Sequence, residues 1–328
     1  MARFPTLLDL TQAQDPDGSV AAVVELLHQT NEVMTDWTFM EGNLPTGHRS
    51  VIRTGLPTAT WRKLYGGVQP DKSKREQITD STGMLEAYAE VDKALADLSG
   101  DVAGYRATED SAFIESMSQD LAETLFYGNV HVNPERFEGF DTRFNDLSAA
   151  NADNIIDAGG TGSDNASMWL IGWAPTTVFG IYPKGSQTGI QVNDKGQVTI
   201  EDVDGNGGRM EAYRTHYRVD AGLVVRDWRY IVRICNIDRS LLTADISTGA
   251  DLVDLMSDAE ERLPMVTSNT AWYCDRTIKQ VWRKQMATKV QGSTLGLEDV
   301  GGVKSHMSPG GIPIRRVDRL AVDEARIV

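Results

Sequence analysis

The strongest local match to a metal-binding pattern in the chain is Asp202-Val203-Asp204-Gly205-Asn206-Gly207. Oxygen donors at the first, third and fifth positions, with Gly at the sixth, match the opening of a calcium loop, where alternating side chains surround the ion and Gly permits a sharp bend. The match then breaks. Tyr213 stands where position twelve should bring a bidentate Glu, and the flanking residues alternate as strands do rather than repeating as helices do. Asp, Asn and Gly are also the residues a hairpin tip uses for left-handed backbone. A hairpin tip is the preferred reading. A soluble mixed α/β protein, either a calcium-dependent binder or an enzyme centred on Asp202, Asp204 and Asn206, is the alternative.

Other chemical candidates carry less. Gly159-Gly160-Thr161-Gly162-Ser163 is a glycine-rich run, but no Gly-Lys-Ser/Thr follows, and the apolar stretch Met168 to Trp173 stands where a phosphate cradle needs a helix N-terminus. A surface loop fits better. His28, His48, His131, His216 and His306 show no metal-ligand spacing, and no Gly-x-Ser-x-Gly elbow is present. Cys235 and Cys274 read as two buried thiols rather than a disulfide or a nucleophile. The seven tryptophans fall mostly within strand or helix patterns, so core and subunit-interface packing is expected of them. No catalytic, cofactor-binding or metal-ligating residue is assigned, and the expectation is a structural protein without enzymatic activity or cofactor.

Composition narrows the class further. The 328 residues carry 32 Lys and Arg against 47 Asp and Glu, a net charge of -15, which gives no global attraction to phosphate and opposes a DNA reader. No apolar run approaches the roughly 18 residues that span a bilayer, so no membrane contact is expected, and the start lacks the apolar centre of a signal peptide.

The elements follow from periodicity and punctuation. Residues 1–48 hold seven acids and one base, Arg3, and Val20, Val23, Val24, Leu27 and Met34 recur near helical spacing behind cap candidates Asp17 and Ser19. Residues 43–83 are interrupted by Gly and Pro, with Thr58 to Tyr65 strand-like and Asp71-Lys72-Ser73-Lys74-Arg75-Glu76 as a charged hairpin tip. The spacing of Ile114, Met117, Leu121 and Leu125 predicts a helix over 108–127, capped by Thr108 and ended by Gly128. Strands are expected from 167 to 243, including a long run from Leu223 to Ile237 that turns back after Ala221-Gly222. An acidic helix at 249–262 and a helix at 269–288 with a basic face (Arg276, Lys279, Arg283, Lys284) follow, and the tail from 311 to 322 alternates like a strand.

This order resembles the major capsid proteins of tailed double-stranded DNA phages, the Hong Kong 97-like fold, among compact coat proteins. The residues that carry the resemblance are the helix ending Leu125-Phe126-Tyr127-Gly128-Asn129, then Pro134-Glu135-Arg136-Phe137-Glu138-Gly139-Phe140 and Val178-Phe179-Gly180-Ile181-Tyr182-Pro183-Lys184-Gly185-Ser186. The Tyr213-to-Ile237 strand pair and Gly311-Ile312-Pro313-Ile314-Arg315-Arg316-Val317-Asp318 continue it.

The resemblance implies an α+β fold with an N-terminal arm at 1–42 and an extended loop at 43–84 lying across a neighbouring copy. It implies a peripheral domain at 85–145 and 300–328 built on a spine helix, and an axial domain at 146–299. It further implies pentamers and hexamers forming an icosahedral head around double-stranded DNA, held without sequence-specific contacts. The implied setting is a virion assembled in the bacterial host cytoplasm, with a separate scaffolding protein, a portal and a decoration protein as possible partners. Some relatives join a loop Lys to an Asn covalently; Lys63, Lys72 and Lys74 lie in that segment, and with no partner Asn to align no such bond is assigned. The acids of the arm would face the inside of the shell.

Overall fold

The computed structural model describes residues 29–201, 207–243, 249–267, 269–290 and 308–328. The arm helix expected near residue 20, His28, His306 and the Asp202, Asp204 and Asn206 tip lie outside the described residues.

The architecture is α+β, with two sheets and two helical layers. The first sheet runs in the order β1 (Phe39–Glu41), β6 (Val178–Tyr182), β8 (Arg209–Val225), β3 (Lys74–Asp92), β2 (Gly47–Gly55), and β7 (Gln191–Glu201) also pairs with β8. The second runs β11 (Ile314–Arg316), β10 (Thr270–Cys274), β5 (Asn165–Gly172), β9 (Ile231–Asp238), β4 (Ile155–Asp157). The helices are α1 (Val33–Asp36), α2 (Lys93–Leu98), α3 (Val102–Tyr127), α4 (Leu252–Glu261) and α5 (Arg276–Val290).

Side chains alternate across a strand, so a strand buried on both faces feeds two cores. In β5, Trp169 and Ile171 enter a core shared with α3 and the first sheet, whereas Met168 and Leu170 enter one shared with α4 and α5. Around Trp169 the rings of Phe126, Phe140 and Phe144 stand at 6.0, 5.8 and 6.2 Å, tilted or edge-on, as aromatic quadrupoles prefer.

Helix α3 begins six residues before the expected start. Asp101 caps it by accepting from the Gly104 N–H at 3.0 Å, and Thr108 turns its hydroxyl back to the Gly104 carbonyl. Gly128 ends it, as expected. Three further expectations are corrected. No turn occurs at Ala221-Gly222: β8 continues to Val225, and Gly222 lies where a side chain would collide with the Ser81 carbonyl at 2.8 Å. Residues 270–274 form a fully buried central strand instead of the first turns of a helix, because Trp272 and Tyr273 fill opposite faces of the second sheet. In the tail only Ile314–Arg316 is strand.

Sheet membership cuts across the segment boundary at residue 146. Strands β6 and β8 join β3 in one sheet, while β11 pairs with β10 in the other. Residues beyond β11 return to α3: Tyr127 donates to Glu324 at 2.6 Å, and Arg319 pairs with Glu123.

Candidate interaction surface

The long hairpin β2–β3 projects from the first sheet. Its register runs from Gly47 opposite Ser81 to Arg53 opposite Arg75, with an irregularity between Arg53 and Gly55. Beyond Ser81 the same strand β3 changes partner, and Thr82 to Asp92 pair with β8. One strand therefore belongs half to the core and half to an arm.

A buried polar cluster seats the root. Arg143, at the end of the short 3-10 turn Asp141–Arg143, donates to Asp80 at 2.8 Å. His48 lies opposite Asp80 and meets the Phe179 ring edge-on at 5.6 Å. Burial pushes the His48 pKa down, and Arg226 adds to this while Asp80 works against it. Gly47 is required here, since a Cβ would fall 2.1 Å from the Asp80 carbonyl.

The outer edge of β2 is satisfied only near the root. Asn43 donates to the Arg49 carbonyl at 2.8 Å and accepts from its N–H at 2.7 Å, imitating a strand. From Val51 to Gly55 no backbone or side-chain partner occupies that edge among the described residues. Such an edge is a template for pairing with another chain.

Residues 56–73, including the strand-like Thr58 to Tyr65, form no strand, because no second strand lies beside them. The tip is nevertheless organised. Asp71 accepts from the N–H groups of Thr58 and Lys72 at 2.7 Å each, which holds its carboxyl below the usual range. A turn closes from the Gly66 N–H to the Lys63 carbonyl at 3.0 Å, with Tyr65 in the left-handed region at φ 65°. Trp61 and Tyr65 are fully exposed and Leu64 nearly so. Of the tryptophans expected in the core or at a subunit interface, Trp37, Trp169, Trp173, Trp272 and Trp282 are buried in the core, whereas Trp61 and, in part, Trp228 are exposed.

The chemical candidates fall apart from one another. His131 is exposed, and His216 meets Glu86 at 3.2 Å on an open sheet face. Cys235 and Cys274 are buried and unpaired, and burial pushes their thiols up to about 11 and about 12, away from any nucleophilic role. The Gly159 to Ser163 run is a loop between β4 and β5, and a strand follows it. Strands β7 and β8, not helices, flank the Asp202 tip. Among the described residues no group of three His, Cys, Asp or Glu is placed to hold a metal, and no helix is long and apolar enough to cross a membrane.

The buried charges serve structure. Arg233 lies 4.6 Å over the Trp169 ring and donates to Glu324, Asp141 and the Phe144 carbonyl at 2.8 Å each, and to Ser167 at 3.0 Å. Burial opposes its charge, and Glu324 with Asp141 more than restores it, so its pKa lies above the ordinary Arg value. Sequence inspection missed this clasp, because Arg233 and Glu324 are 91 positions apart.

Residues 15–328 match the family described as major capsid protein GP7. A solved structure of bacteriophage Epsilon15 superposes with a TM-score of 0.78 at 36% sequence identity, covering 99% of this chain and 97% of that one. The capsid of bacteriophage JBD30 aligns over 93% of each chain at 10% identity with a TM-score of 0.45. No curated protein sequence matches the chain.

Proposed function

The chain belongs to the major capsid protein GP7 family, as a coat protein of a tailed phage with the Hong Kong 97-like fold, and from that premise we propose that its copies join as pentamers and hexamers in an icosahedral head around double-stranded DNA. The observation that carries the reading is the β2–β3 hairpin. It has an unpaired outer edge and a tip whose aromatic rings find no cover in their own chain. Exposed apolar surface and open edges are stabilised only by a second molecule, and closed symmetry makes that molecule another copy. Many modest contacts repeated around the shell then hold collectively.

In this proposal residues 1–42 act as an arm, 43–84 as the extended loop across a neighbour, 85–145 and 300–328 as the peripheral domain, and 146–299 as the axial domain. Function resides in surfaces and no catalysis is assigned. DNA is enclosed without sequence-specific contact, which agrees with the net charge of -15. Assembly in the host cytoplasm, with a scaffolding protein, a portal and a decoration protein from other chains, completes the proposal.

Replacing residues 58–72 by a short Gly-Ser linker tests it. A cut reaching residue 80 would also remove buried Asp80 and the first seven of the 19 residues of β3, and so confound assembly with folding. The shortened protein is expected to melt like the parent and to form no shells by electron microscopy. Normal shells from it would overturn the proposal.

A further inference from the structure

The hairpin is the basic part of an acidic molecule. Residues 49–75 carry seven bases (Arg49, Arg53, Arg62, Lys63, Lys72, Lys74, Arg75) against Asp71 alone, a net of +6, which leaves -21 on the rest of the chain. Within the hairpin, Arg53 and Arg75 stand directly opposite each other across the strands. Like charges in that position are destabilising unless a counter-charge comes from outside. The occupant sought is therefore an acidic surface that also has room for aromatic rings.

The molecule's own cavities differ in charge. A trough of about 660 Å³ at the hairpin root is lined by Arg53, Arg226 and Arg229, with Asp227 already taken by Arg229 at 2.8 Å. A basin of about 550 Å³ carries Lys184 and Arg218, and its Asp220 is held by Arg218 at 3.1 Å. Both would repel the tip. In a cavity of about 380 Å³ beside the C-terminus, Asp141 and Glu324 are already held by Arg233. A smaller groove, about 240 Å³, lies between α3 and the first sheet, lined by the apolar Met84, Leu85, Leu121 and Phe137 together with Asp120 and Glu135. The one base lining it, Arg136, is turned to Glu123 at 3.6 Å. Neither Asp120 nor Glu135 is in an ion pair among the described residues, and Met84 is 58% exposed. Helix α3 itself carries five acids and one base.

Building on the docking of copies proposed above, we infer that the Trp61–Tyr65 segment of one copy seats in this groove of a second copy, rings against Met84 and Leu85, and Arg62 and Lys63 against Asp120 and Glu135. Charge complementarity of this kind acts mainly on encounter rate and register, while the buried rings supply holding power.

A charge swap separates this inference from the hairpin proposal itself. Asp120→Lys with Glu135→Lys, and separately Arg62→Glu with Lys63→Glu, should each cut the yield of shells by about tenfold or more, as like charges now meet. All four changes in one chain should restore most of the yield. Far-UV circular dichroism and melting of the unassembled protein confirm that each variant folds. If the 58–72 replacement abolishes shells while the Asp120→Lys, Glu135→Lys protein assembles normally, the groove is wrong and the hairpin proposal stands. Failure of the fourfold variant to recover also overturns the pairing. Independently, Arg62→Cys combined with Asp120→Cys should give a ladder of disulfide-linked oligomers on mild oxidation of assembled protein. A monomer band alone would sink the inference, and the buried native thiols do not interfere.

Discussion

Strand β9 is buried at all eight positions, and strand β2, one residue longer, at two of nine. The sheets to which they belong treat their edges in opposite ways. On the second sheet, residues 30–32 close the β11 side, where the Glu32 N–H donates to the Arg316 carbonyl at 3.0 Å and the Glu32 carboxylate accepts the Arg316 N–H at 2.7 Å. On its other side the Arg262 guanidinium covers the carbonyls of Asp153 and Ile155. The first sheet leaves β2 open from Val51 onward. One region closes its sheet edges within the chain, and the other leaves an edge and a set of apolar side chains open to a neighbour. If copies pair through the open region, assembly adds its binding free energy to the stability of each subunit.

The largest effect is expected where the closed region holds its charges. Replacing Arg233 with Met would leave the Glu324 and Asp141 carboxylates without their shared partner, Glu324 being buried with it. Breaking one partner from a buried pair costs about 3–5 kcal/mol. The midpoint of urea unfolding should fall accordingly, and Arg233→Lys should recover only part, since an ammonium cannot reproduce the fork that meets Glu324, Asp141 and Phe144 together. An unchanged midpoint would mean that the clasp adds nothing to the closed region.

At the border between the regions the expected effect is smaller and depends on pH. The His48 pKa is lowered in the folded protein, so between that lowered value and the ordinary 6.5 the unfolded chain binds more protons than the folded one. Stability therefore rises with pH through this window. It is fully present above 6.5 and is lost as pH falls toward the folded value. Asp80, Arg226 and Arg143 are the charges around it, and they set the sign only jointly with burial. His48→Gln should flatten this part of the stability profile below pH 6.5 and leave the region above it unchanged. Hydrogen exchange of β2 and the start of β3 on acidification is the direct measurement.

The same division explains what could be read from residue order. The stripe Met117, Leu121 and Leu125 announced α3 because one helix presents it to one core. Residues 270–274 read as helix in sequence because a strand buried on both faces has no alternation to reveal it, and it is told from a helix only by its neighbours in the sheet. The continuous course of β8 through Gly222 was hidden for a related reason. Gly usually marks a turn, and here it answers to the close approach of Ser81 and Ile181, residues 141 and 41 positions away. The basic tip was visible as a charge run, but its lack of a partner within the chain, and the acidic groove beside α3, needed three dimensions.

The smallest effect on subunit stability is expected at the tip. Trp61, Leu64 and Tyr65 are 103%, 88% and 103% exposed. Changing all three to Ser should leave the melting of the unassembled protein within about 0.5 kcal/mol, as for exposed positions in general. Ser is no better suited than Tyr to the left-handed backbone at 65, so the local strain is carried over unchanged. The same triple change should remove shells, because each ring or chain buried against a neighbour would contribute about 1.5–3 kcal/mol there. A large loss of stability in the isolated subunit would show that the tip packs on its own chain. Intact shells would show that the rings are idle. The contrast between the two regions holds only if the isolated subunit ignores the change and the assembly does not.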